Sequence, residues 1–86
     1  MVRAKGRTRR VIKALAVLLR NTTWKCGSIE RLVVNYLRKQ LQMFGRAKIP
    51  IREMLQHFKF DGKRKSEFVD AIKRLEKRNI IKVEGL

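Results

Sequence analysis

The sequence is poor in the residues that build reactive sites. It has one cysteine, Cys26, and one histidine, His57. A lone cysteine forms no internal disulfide, and with a single histidine beside it there is no zinc-ligand set. One proline and five glycines leave no low-complexity tract, no Walker-type loop and no dinucleotide-binding glycine pattern. The apolar run from Val11 to Leu19 is broken by Lys13 and falls far short of the roughly 20 residues that span a bilayer. Acids are scarce too, with 7 Asp and Glu against 23 Lys and Arg and a net charge of +16. Soluble surfaces ordinarily mix the two signs more evenly. The imbalance points to a polyanionic partner, above all a phosphate backbone. Eighty-six residues allow one domain with a modest core, which argues against an enzyme with a deep substrate pocket.

What is present is unevenly distributed. Residues 1–29 hold eight basic residues and no acid, while residues 30–86 hold fifteen basic and all seven acidic residues. Residues 1–10, with Arg3, Lys5, Arg7, Arg9 and Arg10, read as a basic flexible arm that an anion would order. Val11, Ile12, Leu15, Leu18 and Leu19 share one face of a helical wheel, so residues 11–20 are expected to form a short extra helix. An organelle transit peptide and a basic helix lying on a membrane share that composition, but docking on the domain's own core is the first expectation. Residues 21–27 form a connector. In it Trp24 is expected to be a packing anchor, not a stacking platform, and Cys26 an ordinary buried thiol.

Helix signals are clearer downstream. Ser28 is a good N-cap, Glu30 suits the positive end of a helix dipole, and Gly45 closes the segment. Ile29, Leu32, Val33, Tyr36, Leu37, Met43 and Phe44 make its apolar face. Val34 and Leu41 form a second apolar edge, onto which the 11–20 helix or a partner subunit would dock. Residues 47–49 suit a short strand, and Pro50 suits the first turn of a helix burying Ile51, Met54, Leu55 and Phe58. On that helix His57 lies four residues after Glu53. Such a pair can orient a general base, yet no nucleophile is evident nearby, so a surface contact is expected. After Gly62, Phe68, Ile72 and Leu75 recur at helical spacing, opposite Lys63, Glu67, Asp70, Arg74 and Lys77. Asn79 tolerates the left-handed conformation that ends helices. Ile80, Ile81 and Val83 then read as a strand.

From Ser28 onward the order of elements resembles a winged helix-turn-helix domain. The resemblance rests on Ala71, Ile72, Lys73-Arg74, Leu75, three further residues, Asn79 and the apolar strand Ile80-Ile81-Lys82-Val83, preceded by Ile49-Pro-Ile-Arg-Glu-Met-Leu55 as a short strand entering a helix. It implies a winged-helix-like core over 28–83 with a minimal two-strand sheet; with the extra helix 11–20 this makes a mostly α fold in one domain over residues 11–86, preceded by the arm 1–10. A wing is a hairpin, and only one strand follows the last helix, so the resemblance implies a truncated wing.

It also implies that the 62–78 helix faces a major groove. Lys63, Arg64, Lys65, Lys73, Arg74 and Lys77 would then contact phosphate together with the arm cations Arg3, Lys5, Arg7, Arg9 and Arg10, and set position without reading sequence. Glu67 and Asp70 interrupt that face. A carboxylate there accepts from cytosine or, as the plainer expectation, Asp70 pairs with Arg74 four residues on.

The expectation is a non-enzymatic, intracellular protein, cytoplasmic or nucleoid-associated, with no cofactor and no membrane partner. Duplex DNA comes first as its ligand, through a regulatory or architectural role. Structured RNA in a ribosomal or other ribonucleoprotein is the close alternative. An adaptor that forms a homodimer through the N-terminal helix is a third.

Overall fold

Ala14-Leu-Ala-Val-Leu18 alternates small and larger apolar side chains, and the fold uses that alternation rather than the helical one. The computed structural model of the protein describes residues 11–85. Of residues 11–20, Leu15–Leu18 form a strand, β1, and only Val11 and Ile12 are helical. The helix expected over 11–20 is therefore not formed. Ala14 and Ala16 are buried at 3% and 0% exposure, while Leu15 is only half-buried, the reverse of the helical expectation.

The remaining elements follow in the order expected. They are α1 (Ser28–Phe44), β2 (Lys48–Pro50), α2 (Ile51–Phe58), α3 (Gly62–Lys77) and β3 (Ile81–Glu84). Pro50 closes β2 instead of opening α2, which starts one residue later. Gly27, not Ser28, precedes the first turn of α1. It has no side chain to offer, and the Glu30 carboxylate reaches back to accept its backbone N–H at 2.7 Å. A Cβ at Gly27 would sit 3.1 Å from Glu30 Oε1, so the bare backbone makes room for this contact.

The sheet has three strands in the order β2-β1-β3, all antiparallel, not the two expected. Ala16 faces Ile49 on one side and Val83 on the other, while Leu18 faces Ile81. These side chains lie on the core face, since successive residues of a strand point to opposite sides. The other face carries Leu15 and Val17, with Lys48 and Lys82 flanking Val17. Glu84 takes Lys48 at 3.2 Å and Lys82 at 3.3 Å, so one carboxylate links the two edge strands across β1.

Against the core face lie Val33, Val34 and Leu37 of α1, Ile51 and Met54 of α2, and Phe68, Val69, Ile72 and Leu75 of α3. Val34 is fully buried, but Leu41, the other residue of the second edge of α1, is exposed, so that edge is covered only in part. The apolar face of α1 is narrower than its sequence suggests. Leu32, Leu41, Met43 and Phe44 remain exposed. Among the described residues no helix is long and apolar enough to cross a membrane.

Candidate nucleic-acid interface

α3 is the element on which the expected contacts converge. Phe68, Val69, Ala71, Ile72 and Leu75 are buried, which turns the opposite side to solvent. Its end is fixed by two backbone bonds, Asn79 N–H to the Glu76 carbonyl (2.9 Å) and Ile80 N–H to the Leu75 carbonyl (3.0 Å), with Asn79 at φ 57°. This is a Schellman closure with asparagine in the left-handed position, as its short polar side chain allows. The closure aims the chain directly into β3.

Lys63, Arg64, Arg74 and Lys77 are exposed on α3, and Lys65 and Lys73 are half-buried. The stripe is basic at both ends and acidic in the middle, where Glu67 and Asp70 lie. Among the described residues, Lys63, Arg64, Lys65, Lys73 and Lys77 have no acid within ion-pair distance. Arg74 does not pair with Asp70. Its Nε lies 3.7 Å from Glu30 Oε2, on the buried carboxylate that also holds Gly27. With Arg74 more than half exposed, this long contact adds little stability. Its effect is to aim the guanidinium toward α1. The arm cations Arg3, Lys5, Arg7, Arg9 and Arg10 lie outside the described residues.

A second cluster was not expected from the sequence. Trp24 is 69% exposed, so it is not the packing anchor anticipated. Its backbone is nonetheless held tightly. The Arg78 guanidinium donates to the Trp24 carbonyl at 2.7 Å and to the Lys25 carbonyl at 3.2 Å, with Cys26 Sγ at 3.5 Å. Trp24 N–H donates to Thr22 Oγ1 at 3.2 Å. Lys25 adopts φ 55° and sets its ammonium 4.6 Å from the centroid of the indole ring. No local pattern announces this cluster, because it joins residues more than fifty positions apart. The only sequence hint is the run of cations at the α3 end.

A third cluster links α1 to α2. Arg46 donates to both oxygens of Glu53, at 2.9 and 2.8 Å, and Tyr36 O–H donates to Glu53 Oε2 at 2.8 Å. Arg46 above all holds the Glu53 carboxyl below the usual carboxylate range. Burial first, and then the Glu53 carboxylate, push the Tyr36 hydroxyl up. With its oxygens occupied, Glu53 does not orient His57. The His57 ring instead lies 4.8 Å from Tyr36 and 5.0 Å from Phe58. Among the described residues no three His, Cys, Asp or Glu side chains come together to hold a metal. Comparison with protein-family models, curated proteins and solved structures finds no match.

Proposed function

We propose that the protein is a non-enzymatic nucleic-acid-binding protein with a winged-helix-like core, acting on duplex DNA as a regulator or architectural component. The observation that carries this reading is α3, where Lys63, Arg64 and Lys77 are exposed and have no acid partner among the described residues, with the half-buried Lys65 and Lys73 beside them, at the two ends of the helix. Such surface cations are the groups that exchange water and counterions for phosphates. β1 adds support, because it runs antiparallel beside β3 over four residue pairs, as the second strand of a wing hairpin would. Leu15 faces Glu84 at the end where the tip of such a hairpin would lie. The basic arm expected over residues 1–10 would suit a minor groove next to the major groove that α3 is proposed to face.

Structured RNA is the second reading, and Glu67 and Asp70 favour it. Among the described residues they make no ion pair, and in the middle of the α3 stripe they would repel phosphates. A face used for packing inside a ribonucleoprotein need not enter a groove.

The test is binding to a duplex of about 30 base pairs and to a folded RNA of similar length, each over a salt series with unlabelled competitor. Tighter duplex binding supports the DNA reading, provided that Lys63→Ala, Arg64→Ala and Lys77→Ala each reduce the salt slope by about one unit. RNA binding that survives excess duplex moves the assignment to the second reading. Absence of binding to both overturns the two together.

A further inference from the structure

Trp24 combines a fixed backbone with a free ring. Large aromatic side chains ordinarily bury their surface, and the indole leaves 69% of this residue in water. The turn that presents it is over-determined. Lys25 sits in the left-handed region at φ 55°, uncommon for a lysine, and Arg78 holds the carbonyls on both sides of that bend. Strained backbone held by its surroundings is often found where a side chain must be aimed.

The ring borders a cleft of about 410 Å³ whose other walls are Lys25, Glu30, Arg74, Lys77 and Arg78. Two of these cations are engaged, Arg78 by the connector carbonyls and Arg74 by Glu30. Glu30 is itself occupied by Gly27 and Arg74 and is almost wholly buried, so it presents little charge to the cleft mouth. Lys25 and Lys77 remain as ammonium groups without an acid partner among the described residues. An aromatic face beside cations that lack an acid partner is the arrangement that binds single-stranded nucleic acid: the base stacks on the ring and the phosphate meets the cations.

We propose that Trp24 is a stacking platform for an unpaired nucleobase, whose adjoining phosphate is held by Lys77 and Lys25. The site lies at the C-terminal end of α3, beside the proposed duplex-facing stripe, and it rests on the nucleic-acid reading. In it, Lys25 exchanges its place over the indole for the phosphate, or keeps one ring face while the base takes the other. Either way the ring, not the charge alone, distinguishes a strand with exposed bases from a polyanion without them.

Trp24 is the only tryptophan in the chain, so its fluorescence reads the site directly. The full-length protein is titrated with oligothymidylate of about ten nucleotides, with an abasic strand of equal length, and with oligouridylate. The expected result is strong quenching by oligothymidylate and none by the abasic strand. Affinity for oligothymidylate should fall roughly tenfold in Trp24→Ala and be largely kept in Trp24→Phe, while abasic-strand affinity stays unchanged in both. Lys77→Ala should weaken all three strands. Equal quenching by oligouridylate assigns the site to bases of either nucleic acid, and quenching by only one of the two assigns it to that one. Binding of both thymidylate and abasic strands with equal affinity and no quenching overturns the platform but leaves the polyanion reading intact. Failure of every strand, and of the duplex, to bind overturns both.

Discussion

Residues 11–19 and residues 62–83 both interleave apolar side chains with lysine and arginine, yet they fold in opposite ways. The first becomes the central strand of a sheet, and the second a helix followed by an edge strand. In α3 the local signals agree. Phe68, Ile72 and Leu75 keep helical spacing, Arg74 and Lys77 sit at the negative end of the dipole, and Asn79 supplies the left-handed closure. In β1 the same kind of composition fits either period, because short apolar runs do not distinguish a buried strand from a buried helix. Its conformation is decided by β2 and β3 on its two sides and by α1 beneath it. One region is specified by its own residues, the other by its neighbours.

Substitutions that separate these two kinds of specification should rank accordingly. The largest effect is expected from Phe68→Ala, which empties the centre of α3's buried face. Loss of a fully buried phenylalanine costs about 3–5 kcal/mol, a large part of the stability of a domain this size, and urea unfolding should show it. Next is Ala16→Leu, which overfills a fully buried position and should cost about 1–3 kcal/mol. Leu15→Thr, on the half-buried face of β1, should cost clearly less by the same measurement. If residues 11–20 were an amphipathic helix the order would reverse, so a more harmful Leu15 substitution would break the assignment of β1.

Asn79→Ala sharpens the local side of the comparison. Alanine lacks the side chain that eases the left-handed conformation, and the change should cost about 1 kcal/mol with no loss of helix content by circular dichroism. The smallest effect is electrostatic. Arg46 holds the Glu53 carboxyl below its ordinary value, so its contribution is fully present above the unfolded value of about 4.3 and is lost as pH falls through the lower folded value. Glu53→Gln should therefore be less stable than the native chain at neutral pH, with the gap closing as pH falls through the lowered folded value.

The same contrast explains what is legible in the sequence. α1, α2, α3 and β3 can be read within a residue or two, because caps, spacing and turn residues lie within each segment. β1 cannot, since Ala14 and Ala16 carry meaning only once Ile49, Ile81 and Val83 are beside them. The cations of α3 follow from helical geometry alone. That Arg74 turns to Glu30, and that Arg78 clasps the Trp24 turn, depends on where the connector crosses the end of α3. The exposure of Trp24 is hidden for a related reason. An indole's burial follows from what covers it, and no neighbour in sequence shows that the cover is absent.

The position of β1 also sets an order of events during synthesis. The strand leaves the ribosome well before its partner Ile81–Glu84, so the sheet closes only after α3 has emerged. Until then Leu15–Leu18 offers an open, apolar edge, the kind of surface on which chains pair with one another. Lys13 and Arg20 stand on either side of it, where charge opposes such pairing. A nascent chain shortened before Ile81 should keep its helical segments in isolation and aggregate through β1. Replacing Lys13 and Arg20 with neutral residues should worsen that aggregation while leaving the finished domain nearly as stable.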